Sequence, residues 1–256
     1  MVALRTGGIA GERLIDALIG GGCALLISLL LVPPHPLPVI GSAMRAALRG
    51  VAAALGGAAD ALATGRARDP DWTLATTHRL HGRLAALAAA RVTAADIVRL
   101  APLRRRWRPH VERANRRAAH VALLANTALT LVRLAAAVLD EHERPPRWLS
   151  EAVAELADAV GTLARGASPA ERARVREVLR SMADQREPVY GPPEVAATEL
   201  ELRAAAGDAL RVIRDDDEDA AWRRSARMRA AAQTERTAKR ARRLAEKTRE
   251  GTLRRP

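Results

Sequence analysis

The feature that most constrains this chain is an uninterrupted apolar run from Leu14 to Val32, ended by Pro33-Pro34-His35-Pro36. The run is nineteen residues long and Asp16 is its only charged residue. At about 1.5 Å of rise per residue a helix of that length reaches about the thickness of a bilayer's hydrocarbon core. Gly20, Gly21 and Gly22 weaken a helix in water, but in a membrane they let a neighbouring helix approach closely. The prolines close the segment where backbone amides can meet water again. The reading is a transmembrane helix over residues 13–33. A buried core helix is usually shorter, and a signal peptide has a small-residue cleavage site that is missing here. Arg13 and Asp16 lie within one turn of the helix end. There they can pair at i, i+3 and reach headgroups, which outweighs a role as an interface or pathway pair.

The rest of the chain reads as all-α. It has no Phe, one Tyr and four Trp, so a core must be assembled from Ala, Leu and Val, which suits closely packed helices. After a short N-terminal segment (1–12), the membrane helix (13–33) and a Pro-rich linker (34–41), a multi-helix soluble bundle is expected over 42–214. From Ser42, Met44, Leu48, Val51 and Leu55 recur at helical spacing, with Gly56-Gly57 as a candidate interruption. Asp71 reads as the N-cap of a helix carrying Leu74, Leu80, Leu84 and Leu87, with a separate helix over 94–100. A long helix is expected from about Val111 to Leu139. Its apolar middle invites a second membrane span. Asn126, Thr130 and Arg133, at i, i+4 and i+7, give it a polar stripe, which favours a core-facing helix of a soluble bundle. Leu149, Val153, Leu156, Val160 and Leu163 form a seam at alternating spacings of four and three that closes at Gly166. Ser168-Pro169-Ala170-Glu171 is a capping box with Pro at the first helical position. Pro192-Pro193 opens the last helix.

Charge is uneven. Asp215-Asp216-Asp217-Glu218-Asp219 is an acidic run, and from Trp222 onward thirteen Arg/Lys face three Glu, so this tail holds ten of the chain's thirteen net positive charges. Residues 215–256 therefore read as an acidic run and a basic tail, either a solvated helix or disordered. The tail and a second cluster, Arg104, Arg105, Arg106 and Arg108, point to anionic lipid headgroups, each basic side chain near such a surface adding about 1 kcal/mol. Nucleic acid is set aside, because neither a binding fold nor an aromatic platform accompanies the basic residues. One cysteine, Cys23, excludes an internal disulfide. His78 and His81 share a helix face but lack further metal ligands, and read as a surface pair. No phosphate-cradling loop, nucleophile elbow or zinc-protease motif is present. Catalytic residues, a metal site and a cofactor are not expected, and the chain does not read as an enzyme.

Several stretches carry a family resemblance. Residues 13–21 (RLIDALIGG), the LLLVPPHPLP exit at 29–38, APLRRRWRP at 101–109, and Asn126-Thr127 through Leu131-Val132-Arg133-Leu134-Ala135 are similar to the C-terminal part of the fusaric acid resistance and aromatic acid exporter family. The resemblance covers residues 10 to 165. It implies an integral membrane transporter of the inner membrane, exporting aromatic carboxylic acids and related compounds, with cytosolic helical domains. One spanning helix has no pathway through it, and transporters place substrate between several helices. The resemblance therefore implies partners: the bilayer, and either further copies of the chain or transmembrane helices of the same protein beyond this sequence. Arginines flank the apolar run almost evenly, so the resemblance and the missing disulfides, not the charge count, put the C-terminal domain in the cytoplasm. From a different class, a membrane-tethered helical interaction module without transport activity fits the same elements.

Overall fold

A computed structural model of the chain describes residues 16–22, 36–65, 71–100, 107–141, 145–184 and 192–253. Among these residues every regular element is an α-helix, and the all-α expectation holds. In chain order the helices are α1 (16–22), α2 (Pro36–Thr64), α3 (Trp72–Leu100), α4 (Arg108–Glu141), α5 (Arg147–Arg165), α6 (Pro169–Asp184) and α7 (Pro193–Leu253).

Helix α2 is central, packed against α3, α4 and α5, and α7 lies across α4 and α6. Its expected apolar positions Met44, Leu48, Val51 and Leu55 are all buried, and they share one continuous core with Leu124, Leu131, Leu156 and Val160. Each fully buried Leu or Val contributes about 1.5–3 kcal/mol over an exposed one, so the regular apolar spacing of α2 and α5 holds the fold together. The α2–α3 contact is close because Gly50 and Gly57, one heptad apart, carry no side chain. A Cβ at Gly50 would meet Arg83 at 2.6 Å, and one at Gly57 would meet the Trp72 indole at 3.2 Å.

Several boundaries differ from the sequence reading. Helix α2 begins at Pro36, inside the segment read as a linker, because proline is tolerated in a first helical turn. It also runs through Gly56-Gly57, since tertiary packing outweighs the glycines' intrinsic cost. Residues 72–100 form one helix instead of two, with Leu74 on its exposed side. Helix ends are better anticipated. Gly65 and Gly166, closing α2 and α5, both have positive φ, at 64° and 88°. The Asp71 carbonyl accepts the first bond of α3, from the Ala75 N–H at 2.8 Å. The Ser168 box forms reciprocally: the Ser168 N–H donates to the Glu171 carboxylate at 2.7 Å, and the Glu171 N–H donates to the Ser168 hydroxyl at 3.2 Å.

The single spanning helix expected from sequence is not the only candidate. Residues 16–22 are helical, while the rest of 13–33 lies outside the described residues. Among the described residues two other helices, Leu37–Thr64 and Arg108–Glu141, are long and apolar enough to cross a membrane. Both are core helices of the bundle, and about half of the apolar window in each is buried against its neighbours, 56% and 50%. Asn126, Thr130 and Arg133 lie on the exposed side of α4, while Leu124, Ala128, Leu131 and Ala135 face inward. Packing inside the bundle accounts for the buried half of the apolar window of α4. The acidic run and the tail backbone continue α7 as one helix to Leu253.

Candidate functional site

Five consecutive acidic residues on a helix cannot share one face, because each is turned about 100° from the last. Helix α7 meets two basic neighbours at this point, and the run divides between them. Toward α4, Asp219 faces Arg113 at 3.7 Å, Asp216 binds Arg117 at 2.5 Å and Asp215 binds His120 at 2.7 Å. Toward α6, Asp217 takes Arg172 at 3.1 Å and also Arg176. Residues 113, 117 and 120 lie at i, i+4 and i+7, one stripe of α4, and pair with α7 in antiparallel order. The α4 pairs are only 15–29% exposed, so they are screened less than surface bridges and hold α7 in register.

The seam continues two turns further along. Buried Asp208 accepts a hydrogen bond from the Thr127 hydroxyl at 2.7 Å and pairs with Arg211. Partial burial, and secondarily the Asp208 charge, hold the Glu201 carboxyl above the ordinary glutamate range. In the α6 box, the Ser168 hydroxyl and then its backbone N–H hold the Glu171 carboxyl below that range.

At the other end of the seam, ring contacts join α4 to α7. His110 lies edge-on to Trp222 at 4.1 Å between ring centroids and 5.0 Å from Trp107. The Arg113 guanidinium sits 4.4 Å over the Trp222 ring, a cation–π contact. Its Nε and Nη2 are buried without a hydrogen-bond acceptor among the described residues, so the indole face and the Asp219 carboxylate stabilise the charge. Beside this cluster an open groove of about 430 Å³ separates the start of α2 from the seam, lined by Leu37, Met44, Arg45, Arg113, Arg117 and Asp219, among others.

The residues singled out from sequence do not converge on this groove. Arg13, Arg104, Arg105 and Arg106 lie outside the described residues. Asp16 is exposed, and among the described residues nothing beyond the helix's own adjoining backbone lies within 4 Å of a Cβ built on Gly20, Gly21 or Gly22. Arg108 is exposed at the start of α4 and binds Glu112 at 3.0 Å. His78 and His81 are both exposed, and no group of three or more metal-ligating side chains occurs among the described residues. The sequence reading passed over the α4–α7 seam and the Trp107–His110–Trp222 cluster. The seam has a sequence signal: an acidic run in a chain whose earlier helix carries Arg113, Arg117 and His120 at one-face spacing. The ring cluster has none, because its members are 112 residues apart at the closest α4–α7 pair (His110 and Trp222).

Comparison with known proteins gives one group of relatives. The chain is 34% identical over 219 residues, 83% of its length, to proteins of Mycobacterium bovis and Mycobacterium tuberculosis, each named "Putative arylamide transporter". It spans 59% of the length of these relatives. No protein-family model matches it, and no solved structure does.

Proposed function

We propose that this chain is the membrane-anchored, helical part of a transporter that exports aromatic acids, amides or related small molecules. The observation that carries the reading is the 34% identity across 83% of the chain to proteins named as arylamide transporters, which are not enzymes by name. The sequence resemblance to the aromatic acid exporters points the same way. In this reading residues 13–33 cross the inner membrane, and α2 to α7 form a cytoplasmic body that supports assembly or gating. The substrate pathway runs between several spanning helices, contributed by further copies of the chain or by the rest of the protein. Basic residues at the start of α4 and on the tail bring the body against anionic headgroups.

The row of ion pairs between α4 and α7 supports a mechanical role. A body clamped by a row of partly buried ion pairs moves as one piece, as a gating element must. The test is accumulation of a radiolabelled aromatic carboxylate and an aryl amide in cells with and without the gene. The reading predicts higher accumulation of at least one in the deletion strain, restored by the intact gene. Equal accumulation of both, with the protein present in the membrane, favours the membrane-tethered interaction module instead.

A further inference from the structure

A second cavity, of about 210 Å³, lies between α2 and α3, apart from the α4–α7 seam. Its α3 wall carries one stripe of side chains with polar groups, Trp72, Thr76, Arg79 and Arg83, at i, i+4, i+7 and i+11. The facing wall of α2 runs from Gly50 to Gly57 in small residues and offers no polar side chain. The two glycines bring the stripe against the α2 backbone. Arg83 lies across Gly50 and donates from Nη1 to the Ala46 carbonyl at 3.2 Å, and the Trp72 indole nitrogen lies 3.2 Å from where a Cβ on Gly57 would stand. Thr76 is only 4% exposed, and its hydroxyl accepts from Arg79 Nη2 at 3.1 Å.

Each polar side chain of this stripe is a donor. The two guanidiniums bond to a neutral hydroxyl and a neutral carbonyl, and among the described residues neither is in an ion pair, inside the cavity or beyond it. The carboxylates nearest in sequence, Asp60 and Asp71, are not in the walls. The Thr76 hydroxyl proton and the Trp72 N–H have no acceptor among the described residues either. Two positive charges thus stand one turn apart, where like charges repel, and no wall residue offsets them. We infer that this cavity binds a phosphate dianion, free or carried as a monoester. Side chains at i, i+4 start about 5–6 Å apart, so both guanidiniums reach one oxyanion, and the Thr76 hydroxyl stands beside Arg79 to donate to it. Two negative charges match the two guanidiniums, whereas a carboxylate leaves one unpaired. From there the small-residue floor runs on toward the Trp72 ring, where the body of an ester fits. This inference goes beyond the transport reading and does not rest on it, since neither membrane insertion nor cargo enters the argument.

The test is isothermal titration calorimetry of the full chain, in a non-ionic detergent at constant ionic strength, with inorganic phosphate, phenyl phosphate and benzoate. Saturable binding of one phenyl phosphate per chain is expected, with benzoate at least about tenfold weaker. Equal binding of inorganic phosphate supports the site with free phosphate as its source, and binding of phenyl phosphate alone supports it with a monoester as its source. Arg79→Gln, at an exposed position, weakens binding about tenfold, the loss of one charge-assisted hydrogen-bond partner. Arg99→Gln, exposed on the same helix about 30 Å away, changes it less than about twofold. No saturation by about 10 mM with either phosphate overturns the site. Equal binding of benzoate overturns the phosphate assignment. Equal effects of the two arginine variants reduce the binding to diffuse charge and overturn it as well.

Discussion

Replacing Asp216 by Asn tests whether the α4–α7 seam is structural. The substitution keeps size and hydrogen-bonding capacity but removes the charge facing Arg117 at 2.5 Å. Both side chains are less than a fifth exposed, 19% and 17%. An exposed pair is worth about 0–1 kcal/mol, and stranding one partner of a fully buried pair costs about 3–5 kcal/mol. The observed burial lies between these limits, so the expected loss is about 2 kcal/mol. For a body of this size that lowers the melting temperature by about 4–8 °C. The assay is thermal unfolding of the full chain in detergent, followed by circular dichroism. The loss should persist at about 0.5 M salt, where exposed pairs are largely screened. Asp217→Asn is the internal comparison, since Asp217 is 40% exposed, and its smaller effect should fade with salt. A shift below about 1 °C for Asp216→Asn would refute the argument that partial burial makes these pairs structural.

Other consequences follow from single residues. Leu156→Ala, at a fully buried position of the α5 seam, should cost about 2–5 kcal/mol in the same melting assay. Gly50→Val forces a branched side chain against Arg83 and Leu80 and should cost about 1–3 kcal/mol, with loss of the Arg83 bond to the Ala46 carbonyl. Because the Glu201 carboxyl is raised, the stability it gives is present when protonated and lost as pH rises through the raised value. Glu201→Gln should therefore raise the melting temperature at about pH 7 and leave it unchanged at about pH 4. Glu171 has the opposite sign: its depressed carboxyl stabilises at neutral pH, and that contribution is lost as pH falls through the depressed value. Ser168→Ala should move the Glu171 titration, followed by side-chain NMR, up toward the ordinary glutamate range without reaching it, because the backbone N–H at position 168 still donates to the carboxylate.

Much of the fold was legible because it rests on local rules. The four-three spacing of Leu149 to Leu163 became the buried face of α5, and Gly166 and Ser168 ended one helix and capped the next as their chemistry dictates. What was missed depends on tertiary contact. Gly56-Gly57 does not break α2, because α3 packs its Trp72 against Gly57, and that contact cannot be read locally. The acidic run looked like a compositional boundary, but Arg113, Arg117, His120, Arg172 and Arg176 turn it into the dock for α7. Trp222 marked the start of the tail by composition, yet it is the last aromatic anchor of the bundle, stacked on Arg113. A truncation that removes the basic tail and spares the fold must therefore begin after Trp222. The groove was invisible for the same reason. Arg45 and Arg113 are 68 residues apart and line one groove only because α2 packs on α4.

The central claim is that residues 13–33 anchor a helical body that does not itself cross the bilayer. Alkaline carbonate extraction of membranes from cells making the full chain, or the chain without residues 13–33, tests this most directly. The account predicts that the full chain stays in the membrane pellet and the shortened chain moves to the supernatant. Release of the full chain contradicts the anchor. Retention of the shortened chain contradicts the soluble body and makes α2 and α4 the membrane-crossing helices.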